Sequence, residues 1–167
     1  LAGSKIGEVE GAKHIAEAFA GGTMAYEAVR AEHLNTYATT LHAINSAIVK
    51  LGKLTRAGKV YRGVAGRVLP EQFWDENQFG VKGGIEGAFM STTRDREVAL
   101  SYAETGSRAG FVFEIQQGMV DRGAELSWLS QYPHEKEILF APLTGIEVQR
   151  TRVVNNVLVA VSYTHLT

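Results

Sequence analysis

The hydrophobic period of this chain changes near residue 58, and that change constrains the fold more than any other feature. Before it, Leu34, Tyr37, Leu41, Ile44, Ile48 and Leu51 recur at spacings of 3, 4, 3, 4 and 3, which puts them on one stripe of a helix. Residues 12–51 are rich in Ala and hold no Pro, and Gly52 is the expected stop. The stripe is expected to pack as core, since the pattern is too short for a coiled coil. A weaker helix is expected over 12–19, broken by Gly21-Gly22. After the change come short β-prone runs at Val60–Val64, Ala88–Thr92, Phe111–Ile115, Lys136–Phe140, Ile146–Thr151 and Val157–Tyr163. Asn155-Asn156 suits a hairpin turn between the last two. One helix interrupts the runs, capped by Asp95, formed by Arg96 to Ala103 and ended by Gly106. The stretch Gly80–Gly87, with four glycines, is expected to be a flexible loop. Helices followed by a series of strands predict an α+β fold.

Composition removes several function classes. At 167 residues the chain can build one domain or two small lobes. Its 17 basic and 18 acidic residues leave no basic excess, so nucleic acid is not an expected partner. The absence of cysteine excludes disulfides, thiolate metal sites and a cysteine nucleophile. The longest apolar run, Val157 to Val161, is far short of the roughly 20 residues that span a bilayer, and no signal peptide is read at the N-terminus. No membrane partner is expected. A start at Leu1 rather than Met suggests an excised or processed domain. No G-x-G-x-x-G, Walker A or G-x-S-x-G motif is present. His134-Glu135 begins like a zinc-protease motif, but Ile138 stands where the second His is needed, and the five histidines show no ligand spacing, so no metal is expected.

Three features carry chemistry. Glu135-Lys136-Glu137 opens onto Ile138-Leu139-Phe140. On a strand both carboxylates would share one face, with Lys136 opposite. This is either a solvated strand end or a pair suited to glycosidic chemistry, one acid stabilising a sugar cation and the other orienting an acceptor. Arg62 interrupts the apolar run Lys59–Val64, and serves either a structural ion pair or phosphate oxygens. Ser91-Thr92-Thr93 closes another run with three hydroxyls, either as a turn and helix cap or to hold a ribose or a carboxylate.

In this order and spacing the features resemble the arginine–serine–glutamate class of mono-ADP-ribosyltransferases, of toxin and effector type. The likeness runs from Val60-Tyr61-Arg62-Gly63 through Phe89-Met90-Ser91-Thr92-Thr93 to Tyr132-Pro133-His134-Glu135-Lys136-Glu137. Thr93 stands where many members have Ser. The histidine–tyrosine–glutamate class fits poorly, because Arg62 occupies the position of its His. The resemblance implies one domain over 1–167: a helical lobe at 1–57 and a split β-sandwich at 58–167 that binds NAD+ as co-substrate without a metal. It implies that Arg62, Gly63, Ser91, Thr92 and Glu137 bind NAD+. Arg62 would meet its phosphates, Gly63 would lie near the nicotinamide amide, and Ser91 would hold the catalytic Glu137 against the ribose. Glu135 and Tyr132, with Trp128 nearby, would recognise the acceptor; core packing is the competing reading for the two aromatics. Glutamate at position 135 favours an arginine acceptor on a host protein. Modification of ubiquitin on Arg or Thr, NAD+ hydrolysis with water as acceptor, and an inactive binding module stand as alternatives. Effector-type relatives imply a secreted protein acting in a host cytosol.

Overall fold

In a computed structural model of the chain, the described residues are 37–66, 69–104, 110–154 and 157–166. They comprise helices α1 (Ala38–Gly52) and α2 (Arg96–Glu104) and eight strands. The strands are β1 (Lys59–Val64), β2 (Gly83–Glu86), β3 (Met90–Thr93), β4 (Phe111–Gln116), β5 (Ala124–Glu125), β6 (Glu137–Phe140), β7 (Thr144–Val154) and β8 (Val157–Leu166). They hydrogen-bond in the order β2-β7-β8-β4-β1-β3-β6-β5. β4 and β8 run parallel and the other pairs antiparallel. The expected α+β class is the observed one.

The sheet is nearly divided in two. β1 pairs with β4 from Lys59 to Val64, but meets β3 at the single pair Tyr61↔Thr93. One residue pair joins the two halves, in keeping with the split the resemblance implied.

Alternation along the strands builds two apolar layers. On one face Val60, Phe111, Phe113, Ile115, Ile138 and Phe140 form the main core, and Phe73 and Trp74 pack against it. Each such side chain, once buried, contributes roughly 1.5–3 kcal/mol before entropy. On the other face α2 sets Ala99 and Ala103 on Val112 and Val157. Glycine makes that approach possible: a Cβ on Gly63 would stand 1.9 Å from the Ala99 carbonyl oxygen, and one on Gly110 would stand 2.0 Å from that of Ala103. Asp95 caps α2 as expected, its carboxylate accepting the Glu97 N–H at 3.1 Å.

Two expectations are corrected. Gly83–Glu86, inside the expected loop, is an edge strand paired with β7. Gly83 has φ 137°, and its missing Cβ lets the strand approach the Ile146 carbonyl, so one of the glycines that suggested mobility serves close pairing. The helical stripe is also not a continuous core. Ile48 is buried, but Tyr37 and Ile44 are 69% and 40% exposed. Periodicity fixes which side chains share a face, not what covers it. Leu34, the helix at 12–19 with Gly21-Gly22, Gly106 and Asn155-Asn156 lie outside the described residues. By compactness the chain divides into Leu1–His42 and Ala43–Thr167; the sheet and α2 belong to the second unit. Among the described residues no helix is long and apolar enough to cross a membrane.

Candidate active site

Where β1 and β3 part, a cleft of about 250 Å³ opens, lined by Arg62, Gly63, Ser91, Tyr102, Glu135 and Glu137 among others. Arg62 lies one residue past the last shared pair and spans the gap. Its guanidinium donates to the Ser91 backbone carbonyl at 3.1 Å and to Glu86 Oε2 at 3.4 Å. Glu86 also accepts the Ala88 N–H at 3.3 Å, which fixes its carboxylate beside the arginine. Both Arg62 and Glu86 side chains are about one-third exposed, at 28% and 30%, so the pair orients the guanidinium more than it stabilises the fold.

Ser91 and Glu137 sit on neighbouring strands in a register that places them diagonally on one face, since Ser91 pairs with Leu139 and Thr93 with Glu137. The Ser91 hydroxyl donates to Glu137 Oε1 at 2.7 Å, a short charge-assisted bond that fixes the carboxylate rotamer. The neighbouring Thr92 lines the cleft, but its hydroxyl is engaged with the Ile138 carbonyl at 2.7 Å and ties β3 to β6.

Glu135 reaches the cleft by a different route from the expected one. It ends a 3-10 turn, Pro133–Glu135, and the strand begins only at Glu137. Pro133 starts the turn, and Lys136 ends it in the left-handed region at φ 48°, ψ 47°. The shared strand face is therefore replaced by a kink that still turns both carboxylates into one cleft. Lys136 points away, as expected, and pairs with Asp95 at 3.1 Å. That hydrogen bond holds the Asp95 carboxyl below its usual range. The Thr93 hydroxyl and the Arg94 N–H donate to the carbonyls of Glu135 and Lys136, so the turn is gripped by the end of β3 and the residue that follows it.

Two residues that hold candidate site side chains escaped the sequence reading. Glu86 partners Arg62, and the Tyr102 hydroxyl donates to Glu135 Oε1 at 2.9 Å. That bond, and then the negative charge of Glu135, hold the Tyr102 phenol above its usual value. Glu86 was the one acid in a glycine-rich stretch, and Tyr102 was an aromatic on a capped helix; neither signal names a partner. Tyr132 and Trp128 are 58% and 71% exposed, which removes core packing as their role. Tyr132 stands edge-on to His134, with ring centroids 6.1 Å apart, and is not among the residues lining the cleft. Among the described residues no group of three or more His, Asp or Glu side chains is arranged to hold a metal.

The family profile described as NAD:arginine ADP-ribosyltransferase matches residues 14–161. The fold is similar to that of the ADP-ribosyltransferase HopU1 of Pseudomonas syringae pv. Tomato DC3000. There the identity is 26% and the TM-score 0.62, over 80% of this chain and 60% of that one. It is similar to the Vibrio splendidus ADP-ribosyltransferase Vis in complex with agmatine, at 23% identity and TM-score 0.57, over 76% and 57% of the two chains. It is also similar to exoenzyme S of Pseudomonas aeruginosa, bound to carba-NAD and in complex with human 14-3-3 protein beta. That likeness has 21% identity and TM-score 0.58, over 82% and 64%. At 23% and 21% identity the last two likenesses speak for the fold alone. This chain spans between 57% and 64% of the length of the three structures. No curated protein matches it in sequence.

Proposed function

The chain belongs to the NAD:arginine ADP-ribosyltransferase family, and from that premise we propose that its cleft binds NAD+ and transfers ADP-ribose to a protein side chain, arginine first, with release of nicotinamide. The observation that carries the reading is the convergence of Arg62, the Ser91–Glu137 pair and Glu135 on one cleft.

In this reading the bond between the ribose C1′ and the nicotinamide nitrogen breaks, and its electron pair leaves with a neutral ring, so no acid is needed. Positive charge develops on the sugar, and the fixed carboxylate of Glu137 stabilises it and binds the 2′-hydroxyl. Ser91 holds that carboxylate in place before the reaction begins. Arg62 presents its planar fork to the phosphates, and the Gly63 backbone lies near the nicotinamide amide. Glu135 orients a guanidinium, whose nitrogen bonds to C1′ and whose proton passes to Glu135 or to solvent. Vis binds agmatine and exoenzyme S binds carba-NAD, ligands of the two kinds this reading requires. The acceptor would be a host protein, ubiquitin among the candidates, and the site of action a host cytosol.

The test is incubation of the chain with NAD+ and agmatine, and separately with a cell lysate, followed by mass spectrometry. ADP-ribosylated agmatine and protein arginine are expected. Free ADP-ribose alone would make the chain a glycohydrolase, and intact NAD+ would make it a binding module.

A further inference from the structure

The two carboxylates of the cleft are held from different elements. Glu137 is held from β3, by Ser91. Glu135 is held from α2: Tyr102, on the helix body, donates its hydroxyl to Oε1 at 2.9 Å. The backbone around it is held as well: Thr93, at the end of β3, donates its hydroxyl to the Glu135 carbonyl, and Asp95, the cap of α2, pairs with the Lys136 ammonium. A carboxylate offers about four acceptor positions on two oxygens, so the phenol fixes Oε1 and leaves Oε2 for a donor on a ligand. Tyr102 lines the cleft yet is 53% exposed, so its hydroxyl contributes little to folding.

We propose that Tyr102 is a positioning residue for acceptor transfer: its hydroxyl fixes the Glu135 carboxylate toward the cleft, and so sets how ADP-ribose divides between a guanidinium and water. The inference rests on the acceptor role given to Glu135 above. Water needs no such orientation, because it attacks the sugar cation from any approach that the cleft leaves open. A guanidinium does, because its N–H must be aligned with Oε2 before its nitrogen meets C1′. The Tyr102 hydroxyl bonds Glu135, whereas Glu137, the residue assigned to cleavage, is held by Ser91, so loss of that hydroxyl is expected to weigh on transfer more than on cleavage.

The experiment compares the unaltered chain with Tyr102→Phe and Tyr102→Leu, using NAD+ with agmatine as acceptor, and measures ADP-ribosyl-agmatine and free ADP-ribose together. Loss of a hydrogen bond to a charged group predicts that Tyr102→Phe lowers transfer on the order of 10-fold while hydrolysis stays within about twofold. Tyr102→Leu should give the same partition as Tyr102→Phe. An unchanged partition in Tyr102→Phe, equal losses of both products, or a defect seen only in Tyr102→Leu would overturn the proposal. Failure of the underlying reading shows instead in the unaltered chain, as NAD+ left intact or agmatine left unmodified, and it removes this proposal too.

Discussion

The Arg62 guanidinium reaches the Ser91 backbone carbonyl at 3.1 Å across the place where β1 and β3 part. The contact makes one side chain both a brace for the open sheet and a cation at the cleft. A lysine at 62 would keep the charge but lose the planar fork, and could not serve Ser91 and Glu86 while also meeting phosphate oxygens. Arg62→Lys should therefore raise KM for NAD+ about 10-fold, or about 1.4 kcal/mol, with a smaller change in kcat. Steady-state nicotinamide release measures both, and a KM equal to that of the unaltered chain would remove Arg62 from the phosphate site.

Gly63 is the point on which α2 seats. A Cβ there would lie 1.9 Å from the Ala99 carbonyl oxygen and 2.9 Å from the Ala103 nitrogen, both backbone atoms that cannot move alone. Gly63→Ala must shift the whole helix, and should cost about 3 kcal/mol or more in urea unfolding. A loss under about 1 kcal/mol would show that the helix has room to move.

The elements that sequence made legible were those whose cause is local. Phe111–Ile115 is apolar but for Glu114 and became β4, buried on both faces. Asp95 before an amphipathic segment marked the start of α2. What stayed hidden depends on partners distant in sequence. β2 looked like a loop because the energy of an edge strand lies in backbone pairing with β7, to which Gly83 and Gly84 contribute no side chain. The two-residue β5 has the same excuse, being set by its pairing with Leu139 and Ile138. The acids at 135 and 137 were found, but the turn between them was not, because the left-handed Lys136 is fixed by contacts with Arg94 and Asp95. Glu86 and Tyr102 are likewise defined by what they touch.

Glu114 gives the fold a pH dependence. Its side chain is 8% exposed, and Lys59 and Arg152 each donate to it at 2.7 Å. Burial pushes its carboxyl up, but the Lys59 hydrogen bond and the charges of both cations outweigh that and hold it below its ordinary 4.5. The unfolded chain thus takes up this proton at a higher pH than the folded one. The contribution is complete above about pH 4.5 and is lost as pH falls through the folded value. Glu114→Gln should be less stable at neutral pH by about 2 kcal/mol, a modest figure because both cations are half-exposed. It should also lose less stability than the unaltered chain between about pH 5 and 3. Urea melts across that range test this, and parallel curves would contradict it.

The central claim is that a carboxylate fixed in the cleft stabilises a sugar cation, and Glu137→Gln tests it most directly. The amide keeps the size of the side chain and a hydrogen bond to Ser91 while removing the charge. Nicotinamide release from NAD+ should fall on the order of 10²–10³-fold, with thermal unfolding close to that of the unaltered chain. A release rate equal to that of the unaltered chain would contradict the account.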